Sequence, residues 1–359
     1  MRPGGTQAGF VLARWQPWTV IVAGAVLIAV IHHAYATAYT SPDLQVWWMA
    51  ARLWLEGIDP YGPIGDHLLG TGSGFAYPFP AVLICLPLAP LPLAWAATVW
   101  ALMSLAVVGA LPFVLRDHPV PWMPTVMLAY FPLWASLEEG QWGTMLLMWT
   151  AISLYWLRTE RWLPSGVVAS LALLKPNVGI ALLAGIVAYA LCVHAPRRWW
   201  NGLGIGLLIF WAGTQALAPG WPIAWLEQLR AYDAEDQNRI DAVSMTGALA
   251  GMMVMICTFI AWRRRNVRLV LAGIVTVVLL LLPTRSFYNH VVLLLPIALL
   301  PPRVAAPVAL LSWGVLALPT ISTDIVFTRA FALYLPLSIG LAATIWQTHE
   351  QEAGPLCAS

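Results

Sequence analysis

Residues 92–115 run from Pro92 to Leu115 without a charged side chain, and runs of similar character recur at about 18–36, 121–137, 141–157, 162–175, 178–194, 199–217, 244–262, 268–282, 287–301, 304–319 and 329–346. Lipid is the solvent in which so many apolar segments need no polar cover. There the backbone must satisfy its own hydrogen bonds, which apolar runs of this length do as helices, with about 20 residues per crossing. Composition agrees: 60% of the 359 residues are hydrophobic and 9% charged, at a mean hydropathy of +0.76. A soluble domain is excluded. The expected fold is all-α, a polytopic membrane protein of about twelve transmembrane helices in a single integral membrane domain over 1–359. The apolar segment 81–90 is broken by proline, so it re-enters the membrane or opens the second span early. The stretch 162–194 is too long for one crossing and divides at Lys175-Pro176.

The charges test the span count independently. With the N-terminus inside, Arg2, Arg14, Arg116, Arg158, Arg161, Arg197, Arg198, Arg263, Arg264, Arg265, Arg268 and Arg303 fall on the inner side. Arg52, Lys175, Arg230, Arg239, Arg285 and Arg329 fall outside, and 12 + 6 accounts for all 18 basic residues. Asp117, Glu160, Glu350 and Glu352 fall inside, with the other 12 of the 16 acids outside. This sorting is that of an inner membrane protein with both ends cytoplasmic, including a tail at 347–359, and with long outer segments at 37–80 and 218–243. No small-residue cleavage site follows the first run, so that span is expected to be retained. The net charge of +2 points to no nucleic-acid partner. Cys85, Cys192, Cys257 and Cys357 show neither disulfide nor metal-ligand spacing.

The first long outer segment, 37–80, has structure of its own. Ser41, Pro42 and Asp43 read as a helix start, with a capping hydroxyl, a proline and an acid at the positive end of the dipole. Leu44, Trp47, Trp48, Ala51 and Leu55 then share one face and Gln45, Arg52 and Glu56 the other. That pattern predicts a helix lying in the membrane interface with its indoles at headgroup depth, ended by Gly57. Asp59-Pro60-Tyr61-Gly62-Pro63 is turn chemistry, and Gly70 to Gly74 forms a hairpin leading into Tyr77-Pro78-Phe79-Pro80.

Polar residues also collect at the outer ends of the spans: Asp43, then Glu138-Glu139-Gly140-Gln141, then Lys175-Pro176-Asn177, and Arg285 with Tyr288, Asn289 and His290. A cation beside carboxylates at an apolar boundary suits a reaction in which an anionic phosphate leaves and a hydroxyl loses its proton. Each residue also has a structural alternative. Asp43 serves a helix dipole, Glu138 and Glu139 cap a turn, and Lys175 snorkels to headgroups. Arg285 anchors an interface, and His290 is a satisfied core histidine. Most tryptophans belong to interface belts, leaving Trp47, Trp48 and Trp54 near enough to Asp43 in sequence to contact a sugar or lipid.

In their order, Asp43 ahead of Ala50-Ala51-Arg52, Gly57-Ile58-Asp59-Pro60-Tyr61, Phe75-Ala76-Tyr77-Pro78-Phe79-Pro80, Gly140-Gln141 and Leu174-Lys175-Pro176 resemble the polyprenyl-phosphate-mannose-dependent α-mannosyltransferases of the GT-C superclass, over about residues 35–300. Two positions depart from that pattern: Gly143 stands where the family often has asparagine, and Phe79 interrupts a Tyr-Pro-Pro. The resemblance implies a GT-C-like fold and an inverting transfer of a mannosyl, or other hexosyl or pentosyl, unit. The donor is a polyprenyl-phosphate-linked sugar, and the acceptor is a hydroxyl of a cell-envelope glycolipid or glycan at the extracytoplasmic side. It implies Asp43 as the base. Lys175, Arg285 and His290 are then candidates to hold the donor phosphate, and Glu138, Glu139, Gln141, Trp47, Tyr61 and Tyr77 to contact sugar or acceptor, with no cofactor and no metal. No Gly-rich phosphate loop is visible, in keeping with a lipid-phosphate donor. The rival readings are a lipid or polysaccharide transporter, which calls for midplane charges or repeated halves, and a non-catalytic envelope-assembly subunit.

Overall fold

A computed structural model describes residues 42–62, 75–117, 120–235, 245–282, 287–314 and 330–353. The first apolar run, Ser41, the glycine hairpin, Arg285 and Cys357 lie outside these residues. The described chain is helical, with no strand. It begins with α1 (Pro42–Leu55), α2 (Phe79–Cys85), α3 (Leu93–Leu115), α4 (Met123–Leu128) and α5 (Phe131–Glu139). Next come α6 (Gly143–Arg158), α7 (Trp162–Ala169), α8 (Pro176–Cys192), α9 (Arg197–Leu207) and α10 (Trp221–Glu235). The chain closes with α11 (Met245–Arg263), α12 (Val267–Leu281), α13 (Leu294–Leu299), α14 (Pro302–Leu311) and α15 (Leu335–Ala353).

Among these, α3 is the one straight helix long and apolar enough to cross a membrane. Its 23 residues extend about 34 Å. Most of the other expected spans are shorter or interrupted, and proline is a recurrent cause. The run expected at 121–137 is two short helices, because Pro132 in the first turn of α5 starts a new helix rather than continuing α4. The run at 162–175 passes from α7 into a tighter 3-10 segment, Ser170–Leu174. The run at 199–217 continues α9 through a wider turn at Leu208–Ala212 and a 3-10 turn at Gly213–Ala216, then bends by 98° into α10. A count of twelve straight spans is therefore not what the described residues display.

The expected interface helix is corrected in one respect. It forms over Pro42–Leu55, and Gly57 follows it at φ +77°. Its indoles, however, face protein rather than headgroups. Trp47 is fully buried, while Trp48 is buried and donates through Nε1 to the carbonyls of Leu88 (3.2 Å) and Leu91 (3.1 Å). Leu55, assigned to the same face, is exposed. The reason is that α1 lies on α2 and α3, and stacking indole on indole there removes more apolar area from water than an interfacial position does.

Helix ends sort into two groups. At one end Arg158 and Arg268 both pair with Asp117, tying the C-termini of α3 and α6 to the start of α12. There Arg116 donates to the carbonyls of Ala298 (3.1 Å) and Leu300 (2.7 Å) at the close of α13, where the helix dipole favours a cation. At the other end of α6, about 24 Å away along its 16 residues, lie Glu139, Gln141 and Asp43. Between them the bundle is joined by small polar contacts, such as Ser104 to Thr144 (2.7 Å) linking α3 to α6.

Candidate active site

Asp43 is placed by the first turn of α1, and α1 is placed by a glycine. Gly140 ends α5 at φ +67°, in the left-handed region, and a Cβ there would stand 2.5 Å from Leu44 Cβ. The absent side chain lets α1 rest directly on the α5–α6 turn, which carries Glu139 on one side and Gln141 on the other. Gln141 is fixed by its backbone. Its N–H donates to Ser136 O (2.8 Å), and its carbonyl accepts from Trp100 Nε1 of α3 (3.2 Å).

Lys175 enters from the opposite direction. A residue before proline is disfavoured in the helical region, and Lys175 lies at φ −132°, ψ 85°, so the helix breaks there between Ser170–Leu174 and α8. The break turns its side chain into the cluster. Buried at 7% exposure, its ammonium donates to Gln141 Oε1 and lies 5.8 Å from the ring centre of Tyr77 and 5.2 Å from that of Tyr288. The Tyr288 hydroxyl donates in turn to the Asp43 carboxylate. Asp43 and Lys175 are within electrostatic reach of one another, yet the direct ion pairs among the described residues are those of Asp117. Gln141 Nε2, also buried, finds no acceptor among the described residues.

Burial raises the pKa of Asp43, while the positive charge of Lys175 and the hydrogen bond from Tyr288 act against that rise without cancelling it. Glu139 is raised too, by burial first and then by the charges of Asp43 and Glu138, with Lys175 opposing. A carboxylate with a raised pKa, set within electrostatic reach of a fixed cation, is the equipment of a general base beside a phosphate.

The residues singled out in the sequence divide into three sets. Asp43, Glu139, Gln141, Lys175 and Tyr77 come together. Glu138 is exposed at the rim. Tyr61 is buried and donates to Tyr77 O at 2.7 Å, so it braces Tyr77. Trp47 lies among indoles, 4.5 Å from Trp100 and 5.6 Å from Trp142, and its Nε1 finds no acceptor among the described residues. His290 is buried with its ring against Tyr334 (5.5 Å), and its carbonyl accepts from Tyr130 (3.2 Å). Arg285 lies outside the described residues. Among the described residues no three His, Cys, Asp or Glu side chains group closely enough to hold a metal ion. Tyr288 is the member that sequence reasoning noted but assigned no role. The two long segments expected on the outer side, 37–80 and 218–243, also meet beside the cluster, through Trp225 Nε1 to Ala76 O (2.9 Å) and Gln228 Nε2 to Tyr61 O (3.4 Å).

An apolar helical bundle with, at one end, a carboxylate, an ammonium and a side-chain amide whose N–H donors have no partner among the described residues has the form of a membrane-embedded group-transfer enzyme. The model of glycosyltransferase family 87 matches residues 75–290, more than half of the chain, and the chain belongs to that family of membrane glycosyltransferases. The matched region contains Tyr77, Glu139, Gln141, Lys175 and Tyr288 and begins after Asp43. Neither a curated protein nor a solved structure matches the chain.

Proposed function

We propose that this glycosyltransferase moves a mannosyl unit, or another hexosyl or pentosyl unit, from a polyprenyl-phosphate-linked donor to a hydroxyl of a cell-envelope glycolipid or glycan. In this reading the chain is one membrane domain of about twelve spans in the inner membrane, and transfer takes place on the extracytoplasmic side with inversion at the anomeric carbon. The observation that carries the proposal is the arrangement of Asp43, held by Tyr288, opposite a buried Lys175 held by Gln141. Asp43 accepts the proton of the acceptor hydroxyl as its oxygen attacks the anomeric carbon. The bond from that carbon to the phosphate oxygen breaks on the opposite face, and the departing lipid phosphate takes the electron pair beside Lys175. Arg285, three residues before Tyr288, is the second cation for that phosphate. The free Nε2 of Gln141 donates to a sugar hydroxyl or phosphate oxygen, since a buried donor left unpaired is unfavourable by about 1–3 kcal/mol.

The experiment is incubation of the purified protein with radiolabelled polyprenyl-phosphate-mannose and a panel of glycolipid and glycan acceptors. Label in an acceptor is the expected result. Transfer from a nucleotide sugar alone, with the lipid-linked donor inert, would sink the reading.

A further inference from the structure

α11 and α15 meet along a furrow that the cluster around Asp43 does not use. It is a cavity of about 720 Å³, the size of a small-molecule site, lined by Leu249, Met252, Ile256 and Ile260 of α11 and by Leu335 and Ile345 across from them. From Leu249 to Arg264 it follows α11 for about 22 Å. Its wall is open to the surroundings: Leu249 is 51% and Ile256 55% exposed.

One end of this apolar channel is basic. Arg264 lines the cavity, and its Nη1 donates to Ile345 O at 3.3 Å, which fixes the guanidinium at the furrow mouth with further N–H donors to spare. Arg263 and Arg265 flank it, and all three are exposed. Trp262 and Trp346, exposed at the same end, are the side chains that favour headgroup depth. α12 starts a few residues later and carries Arg268, which pairs with Asp117, so this mouth lies at the end of the bundle remote from Asp43.

We infer that the furrow is a binding site for an anionic phospholipid, with an acyl chain along α11 and the headgroup phosphate on Arg264. Hydrocarbon fills a channel without hydrogen-bonding demands. A phosphate matches the guanidinium fork, and a net negative headgroup is preferred over a zwitterionic one beside three arginines. Met252 and Met253, the two methionines that line it, let the wall adapt to the chain it holds.

The test uses the full-length protein in detergent, titrated with dioleoylphosphatidylglycerol, dioleoylphosphatidylcholine or glycerol 3-phosphate and followed by native mass spectrometry and thermal melting. Phosphatidylglycerol is expected to be retained about tenfold more tightly than phosphatidylcholine, with glycerol 3-phosphate ineffective, since both the chain and the charge contribute. Arg264→Gln should erase most of that preference. Ile256→Trp, which fills the channel at an exposed position, should weaken both lipids while leaving the lipid-free melting temperature near wild type. Equal retention of the two lipids, wild-type retention by both variants, or a response to glycerol 3-phosphate equal to that of the lipid would each overturn the assignment.

Discussion

Lys175 stands in the site because Pro176 follows it, and Asp43 stands there because Gly140 has no side chain to hold α1 away. Asp43→Asn preserves shape and removes the base, so turnover should fall by about 10²–10⁴-fold. A helix-dipole role predicts instead a loss of at most about 1 kcal/mol of stability with activity retained, and thermal melting of the purified variant separates the two. Tyr288→Phe tests the same carboxylate through its charge. The Tyr288 hydrogen bond opposes the rise that burial imposes on Asp43, so deleting it lifts the Asp43 pKa further. Activity that needs ionised Asp43 is lost as pH falls through that pKa. The acid limb of kcat/KM should therefore move to higher pH in Tyr288→Phe, whereas a purely structural tyrosine would lower activity evenly at all pH values. Lys175→Met should raise the KM for donor more than that for acceptor, and wild-type turnover at limiting donor would remove Lys175 from the phosphate. Asp43, Glu139, Gln141 and Lys175 were legible in the sequence as polar residues gathered at the ends of apolar runs, although a helix dipole, a turn cap and snorkelling accounted for three of them as well. Tyr288 was not, because a tyrosine at a span end reads equally well as part of an interface belt.

Helix identity was readable from the apolar runs, but helix continuity was not. α4 and α5 look like one span in sequence, and only the break before Pro132 separates them. α1 shows the converse limit: its boundaries follow from Pro42 and Gly57, yet an amphipathic pattern with tryptophans does not tell lipid from protein as the partner of its apolar face. The two departures from the family pattern also have local settings. At Gly143 a Cβ would meet Val291 Cγ1 at 2.3 Å, so α6 starts in contact with the Phe287–Leu293 segment and an asparagine has no room there. Phe79 stacks edge-on against Trp54 at 4.6 Å, linking α2 to α1. Gly140→Ala should destabilise the protein by about 1–3 kcal/mol, through both its positive φ and the clash with Leu44, and should reduce activity by displacing Asp43. Adding Leu44→Gly removes that Cβ and with it the clash, but not the backbone strain. A double-mutant cycle by thermal melting should therefore show partial relief, and strict additivity would mean that α1 does not depend on this contact.

At the scale of the whole chain, the charge sorting and the bundle agree on which residues share an end. Arg116, Arg158 and Arg268, assigned to the inner side from sequence, gather around Asp117 and the end of α13. Asp43, Glu139 and Lys175, assigned to the outer side, gather at the opposite end of α6. Grouping by end is geometry, and the side of the membrane is a separate question that labelling can answer. In a background with the four native cysteines replaced, Thr71→Cys places a thiol in the 37–80 segment expected outside and Arg263→Cys places one at the basic turn between α11 and α12. A membrane-impermeant maleimide applied to intact cells should label position 71 and spare position 263, and permeabilisation should then expose 263. The matching functional control is transfer activity in each single-cysteine protein, so that labelling reports a working fold. Labelling of position 263 but not 71 from outside would invert the chain. Asp43 and Lys175 would then face the cytoplasm, and the acceptor would have to be a cytoplasmic-leaflet glycolipid rather than one outside, although the chemistry assigned to the two side chains would stand.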